Sequence, residues 1–133
     1  MNKKKLKAYL LYVFIIAIFF VVLSVVFSFH AIYTGVKNIC VEAKGEFGQD
    51  CVQSLMVYIR SDVHSEKDKI HAVWALGQLA DKNTLPFLEN LKKEYTCENG
   101  QTKSKICYEI YKAIKWCTHG NVTHWMYKNK ENW

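Results

Sequence analysis

Residues 71–91, HAVWALGQLADKNTLPFLENL, contain the pattern that decides the fold of this 133-residue chain. An apolar run ends on Asp81, and polar turn residues follow it. Ser65 and Asp68, just before the run, have the spacing of a capping box, in which the serine accepts a hydrogen bond from a first-turn amide. The acidic residue is also favourable beside the positive end of a helix. The sequence therefore predicts a helix from about residue 66 to residue 80.

A second helix is predicted directly after this turn. Thr84 can cap its first turn, and Pro86 falls where a missing amide hydrogen costs little. Apolar residues then recur at three- and four-residue spacing, which is typical of one helix face. These are Leu85, Leu88, Leu91 and Tyr95. Two helices joined by a short turn form an antiparallel hairpin.

The chain repeats part of this pattern at an offset of 36 residues. Three apolar positions match in this way: Val52 with Leu88, Leu55 with Leu91, and Ile59 with Tyr95. Helix–turn–helix units with such a period are the signature of an α-solenoid. The N-terminal helix, or a helix directly after it, would form the first helix of the first hairpin. The further predicted helices lie near 50–60, 66–80, 84–95 and 104–117.

The stretch AVWALGQLADKNTLPFLENL resembles the HEAT-repeat family, in particular its short bacterial HEAT-like type. There an Ala-x-x-Ala-Leu-Gly-x-Leu helix leads through an acidic turn into a second helix that carries leucine and proline. The matching positions are Ala72, Ala75, Leu76, Gly77, Leu79, Asp81, Pro86, Leu88 and Leu91. The resemblance covers one repeat, roughly residues 66–95, and it implies a binding or scaffolding protein rather than a catalyst. An ordinary helical bundle remains the alternative architecture.

The first quarter of the chain has a different composition. From Ala8 to Phe29 it runs for 22 residues without a charge. At about 1.5 Å rise per residue, a helix of that length covers the roughly 30 Å core of a bilayer. A cleavable signal peptide is the alternative, but its apolar region usually spans only about 7–15 residues. We therefore expect an uncleaved transmembrane anchor.

Charges near the two ends of this anchor predict its orientation. Lysines precede the span at four positions, Lys3, Lys4, Lys5 and Lys7, whereas two follow it closely, Lys37 and Lys44. Since the more positively charged end of a membrane span usually stays in the cytoplasm, we expect a cytoplasmic N-terminus. Residues 30–133 would then be exported to the periplasm or another extracytoplasmic compartment. That part carries 14 basic and 12 acidic residues, a net charge of +2 against +6 for the whole chain. Nucleic acid is therefore not an expected partner.

The predicted fold class is all-α, with an N-terminal transmembrane helix followed by a small HEAT-like solenoid of α-hairpins. About two repeats are few, since stacked solenoids generally need three or more units with caps. Disulfides, the anchor helix or a larger membrane assembly would offset this deficit. The expected segments are a basic leader at 1–7, the transmembrane helix at 8–29, a juxtamembrane helix and turn at 30–48, the HEAT-like helical domain at 49–117 and an aromatic tail at 118–133.

Five cysteines are many for an exported part of this size, and disulfides are their natural use in an oxidising compartment. Cys97 closes one predicted helix and Cys107 opens the next, so we predict a Cys97–Cys107 disulfide. By the same argument Cys40 pairs with Cys51. Cys107 and Cys117 would lie about 15 Å apart on one helix, too far for a disulfide. Cys117 is left over, as a buried thiol or a link to a partner, and five reduced cysteines in a cytosolic domain are the alternative.

The side chains that could carry chemistry form no compact catalytic set. Cys117, His119 and His124 are the best metal candidates, since thiolate and imidazole suit Zn²⁺ or Cu²⁺, but their spacing fits no compact site. His64 and His71 have no serine or cysteine near enough in sequence to suggest a nucleophile pair. No catalytic residue, cofactor or enzymatic activity is therefore predicted. A redox or metal-binding exported protein built on the cysteine and the two tail histidines is the alternative function.

Aromatic residues are dense towards the C-terminus. The tail offers little helix to bury them, and exposed aromatics favour interfaces. The predicted partner interface consists of Trp125, Met126, Tyr127 and Trp133. The sequence thus predicts a single-pass membrane accessory or scaffold protein, with the lipid bilayer and other subunits of a membrane complex as partners. Asn121-Val122-Thr123 also fits a glycosylation acceptor, which matters only in a eukaryotic secretory pathway.

Overall fold

A computed structural model of the chain describes residues 3–97 and 104–133. Within these ranges the regular structure is helical and contains no strand, so the all-α prediction is confirmed. Residues 98–103, which connect the predicted helices at 84–95 and 104–117, lie outside the described residues. The α-helices are α1 (Lys3–Phe47), α2 (Cys51–Arg60), α3 (Glu66–Leu79), α4 (Leu85–Glu94) and α5 (Lys105–His119), and shorter 3-10 helices occupy Lys82–Thr84, His124–Tyr127 and Lys130–Asn132.

The N-terminal part of α1 is long and apolar enough to cross a membrane. The chain divides after Ile32 into two compact units. In the first unit large apolar side chains are exposed at nearly every position, for example Phe14 at 62% and Phe27 at 73%. A helix segment with apolar side chains exposed all round suits a lipid environment.

The sequence predicts a juxtamembrane helix and turn at 30–48, either continuous with the membrane helix or directly after it, and in the structure α1 continues without a break to Phe47. No proline interrupts this segment, and each of Gly35 and Gly45 costs only about 1 kcal/mol inside a helix. The helix ends at Gly48, which has a φ of 68°. Glycine adopts this left-handed conformation without strain.

Polar side chains fix the starts of the helices in the second unit. Asp50 accepts hydrogen bonds from the amides of Val52 and Gln53 at 2.9 and 3.0 Å and so caps α2. Ser65 caps α3 because its hydroxyl oxygen accepts a hydrogen bond from the Asp68 amide at 3.3 Å, as its spacing predicts. Thr84 does not cap α4 with its side chain and donates its hydroxyl instead to the carbonyl of Asp81, because a 3-10 turn precedes the helix.

Helix α3 lies at the centre of the second unit and packs against α2 and α5, while α4 packs against α5. A β-carbon at Gly77 would lie 2.9 Å from the Ala113 Cα, so the missing side chain lets α5 approach closely. The Trp74 ring fills the space beside Gly35 of α1 and stacks on His71 with 5.2 Å between centroids. The largest fully buried side chains around these contacts are Leu55, Tyr58, Ile59, Leu76, Leu79, Leu88, Leu91, Ile106 and Ile110.

Two disulfides join the ends of neighbouring helices. Cys40 of α1 bonds to Cys51 at the start of α2, with 5.0 Å between their Cα atoms. Cys97, just after α4, bonds to Cys107 in the first turn of α5, with 5.5 Å between Cα atoms. These are the pairs that the sequence predicts, and Cys117 is a free, buried thiol.

Candidate functional site

The C-terminal tail, which follows α5, is held on the end of α3 by side-chain hydrogen bonds. The buried Gln78 accepts two of them at its Oε1, from Asn121 Nδ2 at 3.0 Å and from Thr123 Oγ1 at 2.7 Å. His124 Nδ1 donates to the main-chain carbonyl of Leu79 at 2.7 Å. Because a buried polar group left without a partner costs roughly 1–3 kcal/mol, these bonds give the tail one defined position. The residues that fit a glycosylation acceptor thus attach the tail to the domain.

A cluster of three aromatic rings packs the tail against α1. The Tyr127 ring stacks parallel to that of Tyr33, with 6.3 Å between centroids, and Trp133 stands edge-on to Tyr33 at 5.6 Å. Lys44 Nζ donates to the main-chain carbonyl of Trp133. Burial raises the pKa of the Tyr127 phenol, as is usual for a group removed from water. The tail is therefore a cap on the domain rather than a loose end.

The residues of the predicted partner interface have different environments. Tyr127 is buried, and Met126 and Trp133 are partly buried against the core. Trp125 is 63% exposed, and Val122, which no sequence pattern singles out, is 78% exposed. Periodicity gives no signal here because the tail folds as loop and 3-10 turns rather than as a regular helix. The tail thus presents a tryptophan and a valine to the solvent from a fixed backbone.

The candidate metal ligands are not brought together. The Cys117 Sγ is buried 3.3 Å from the Thr84 hydroxyl, and burial raises the pKa of this thiol. His119 is exposed at the end of α5, with its Nδ1 3.1 Å from the carbonyl of Lys115, while His124 is bonded to the end of α3. Among the described residues no group of three or more His, Cys, Asp and Glu is placed to hold a metal ion. Nothing in these ranges favours the metal-binding alternative.

His64 ties the turn before α3 to the two preceding helices. Its ring stacks on that of Tyr58 with 3.5 Å between centroids, and its Nε2 lies 2.9 Å from Glu46 Oε2. Tyr58 donates its hydroxyl hydrogen to Glu42 Oε1 at 2.9 Å, and burial together with this bond raises the pKa of the phenol. His64 lies between two predicted helices, and the sequence gives no sign of these partners because they belong to α1 and α2. The contacts give this histidine a structural role.

Comparison of the chain with protein-family models, with curated proteins and with solved structures found no match. The function proposed below therefore rests on the geometry and chemistry of the chain itself. Its main features are an apolar helix, a disulfide-bonded helical domain and a rigidly attached tail that exposes Trp125.

Proposed function

We propose that this protein is a single-pass membrane protein whose exported helical domain binds another protein, as an accessory or scaffold subunit of a membrane complex. The observation that carries this proposal is the exposure of Trp125 on a tail fixed by hydrogen bonds to Gln78 and Leu79. Tryptophan is enriched among the residues that dominate binding energy at interfaces. A side chain presented from an ordered backbone also loses less conformational freedom on binding.

The proposed location follows from the apolar helix and the disulfides. The helix is long enough to span a bilayer, and more lysines precede it than follow it closely, which favours a cytoplasmic N-terminus. Disulfides persist in oxidising compartments, and the Cys40–Cys51 and Cys97–Cys107 pairs both lie in the second unit. These features support an anchored protein with its domain on the extracytoplasmic side.

The proposed architecture of the domain is a short HEAT-like solenoid. Its support is the succession of short helices joined by tight turns, in which α3 packs against α2 and α5, and α4 packs against α5. The Gly77 position, which the repeat resemblance includes, allows the close approach of α5 to α3. A stack of this kind offers its outer helix faces to partners.

Replacement of Trp125 by alanine tests the proposed function. The full chain is purified in mild detergent, and the proteins that copurify with it are quantified for the wild type and for Trp125→Ala. We expect a stoichiometric partner with the wild type and its loss with the variant, because truncation of an interface tryptophan typically costs about 2 kcal/mol or more.

Tyr108→Ala provides the matched control, since Tyr108 is an aromatic residue of the same domain with 52% exposure. This variant should retain the partner. A wild-type protein that elutes alone, or equal loss of the partner with both variants, would contradict the proposal.

A further inference from the structure

Tyr33, the first residue of the second unit, follows the uncharged apolar run closely in the chain. Only residues 30–32 separate it from Phe29, the last residue of that run. Because α1 is helical through this segment, four residues rise about 6 Å, and less along the membrane normal if the helix is tilted. The headgroup region on each side of the hydrocarbon core is about 5–7 Å thick. With the apolar run in the core, Tyr33 is therefore at the level of the lipid headgroups.

The C-terminal tail places two more aromatic rings beside Tyr33. The ring of Tyr127 is stacked on it, and the ring of Trp133 stands edge-on to both, with 5.6 Å to the centroid of Tyr33 and 6.1 Å to that of Tyr127. Tyr33 and Trp133 are only partly buried, so the cluster keeps exposed surface. Tyrosine and tryptophan are the residues enriched at membrane–water interfaces, because each has an apolar body and a polar group. The cluster thus joins the residue types and the chain position that suit such an interface.

The charged residues near the cluster fit the headgroup region but not the hydrocarbon core. Lys37 follows Tyr33 by one turn of α1, and the first carboxylate after the apolar run is Glu42. A lysine in this place can extend its flexible side chain to lipid phosphates. In the tail, Lys128 and Glu131 are exposed, and a charged side chain is costly inside hydrocarbon. The charges therefore keep the tail at the membrane surface.

We propose that the cluster of Tyr33, Tyr127 and Trp133 binds the headgroup region of the bilayer in which the chain is anchored. The tail is then a second, peripheral contact with the membrane, and it holds the helical domain close to the lipid surface. Trp133 is the tail residue that contacts lipid, since Tyr127 is buried. The occupant is lipid because the short connection to the apolar run leaves Tyr33 at headgroup level. The lipid contact rests on the membrane anchor of the proposed function, and it assigns Trp133 rather than Trp125 to the bilayer.

Depth-dependent fluorescence quenching tests the lipid contact. The full chain is reconstituted into phosphatidylcholine vesicles, and flotation in a density gradient verifies that it is anchored. The vesicles contain lipid with a nitroxide quencher either on the headgroup or near the end of the acyl chain. Tryptophan emission is compared for the wild type, which has four tryptophans, and for Trp133→Phe. Trp125→Phe is the matched control, because it removes the other tryptophan of the tail.

We expect the headgroup nitroxide to quench the wild type and Trp133→Phe to lose a large part of that quenching. The loss should be several times larger with the headgroup quencher than with the acyl-chain quencher, because the Trp133 ring lies among the headgroups. Trp133→Tyr, which keeps an amphipathic ring, should lose the same part. Trp125→Phe should leave the headgroup quenching unchanged, since Trp125 faces water or a protein partner. A circular-dichroism melt verifies that each variant is folded.

Headgroup quenching that is the same for the wild type and both Trp133 variants would overturn the lipid contact alone, provided that the chain floats with the vesicles. Stronger quenching of Trp133 by the acyl-chain label would overturn it too. Loss of the quenching with Trp125→Phe instead would contradict both the lipid contact of Trp133 and the assignment of Trp125 to a protein partner. A chain that does not float with the vesicles would contradict the membrane anchor, and the lipid contact with it.

Discussion

At the scale of single residues, the close contact between Gly77 and α5 predicts how a substitution at Gly77 changes the free energy of unfolding. Alanine in place of glycine should gain up to about 1 kcal/mol of helix propensity, but its β-carbon would lie 2.9 Å from the Ala113 Cα and 3.0 Å from the Trp116 ring. Overpacking of a core typically costs about 1–3 kcal/mol, and a backbone atom cannot rotate away. We expect Gly77→Ala to lower the free energy of unfolding by about 1–2 kcal/mol, measured by chemical denaturation in detergent.

Gly45→Ala is the matched control for this substitution. Gly45 also lies within a helix, and a β-carbon there would meet nothing within 4 Å. The gain in helix propensity is therefore not offset by a steric clash, and the variant should be as stable as the wild type or more stable. If both alanine variants raised the unfolding free energy equally, the close approach of α5 to α3 would be wrong.

The buried thiol of Cys117 should be inert in the folded protein. Burial raises its pKa, although the hydrogen bond with Thr84 acts in the opposite direction. The thiolate is the reactive form, and a free cysteine has a pKa of about 8.5. At pH 8.5 iodoacetamide should therefore leave the native thiol unmodified, and label it once denaturant unfolds the chain, as counted by mass spectrometry.

The same shift sets the sign of a pH dependence. A thiol whose pKa is raised on folding keeps its proton at a pH at which the unfolded chain loses it. Its contribution to the free energy of unfolding is therefore fully present below about pH 8.5, and it is lost as the pH rises through the pKa of the folded state. Cys117→Ala should therefore reduce the decrease in melting temperature that the wild type shows at alkaline pH. Rapid labelling of the native wild type would contradict the burial of Sγ, and Thr118→Ala, at an exposed hydroxyl one residue away, should not change the labelling.

At the scale of helices, local sequence signals predict the second unit well. The capping box at Ser65 and the apolar run place a helix near 66–80, and the structure has α3 at Glu66–Leu79. The cysteines at helix ends indicate the disulfide pairs, because a short hairpin brings consecutive helix ends together. These signals succeed because caps, turns and helix faces depend on residues only a few positions apart.

Several features that the sequence does not predict depend on distant partners. Gln78 attaches to Asn121 and Thr123 across more than 40 residues. The frame of Val52, Leu55 and Ile59, by contrast, is a local pattern, and these three residues are buried together on one face of α2. Contacts between residues far apart in the chain are decided by packing of the whole domain, which the local pattern does not contain.

At the scale of the whole molecule, the attached tail and the two disulfides are expected to stabilise the second unit. The Tyr33, Tyr127 and Trp133 cluster packs the C-terminal tail against the end of α1 that belongs to the second unit. Each disulfide closes a loop of about ten residues, which contributes about 2–3 kcal/mol in the chain-entropy model. The exposed Trp125 thus belongs to a tail whose other aromatic residues, Tyr127 and Trp133, pack against the domain itself.

The proposed topology predicts which parts of the chain are accessible in intact cells. Val63 is 85% exposed in the second unit, and Asn2 belongs to the basic leader. With a cytoplasmic N-terminus, a membrane-impermeant maleimide should label Val63→Cys in intact cells or spheroplasts and should label Asn2→Cys only after lysis. The opposite pattern would reverse the orientation. Labelling of Val63→Cys in the soluble medium fraction, with the first 30 residues missing from the purified chain, would instead indicate a cleaved signal peptide.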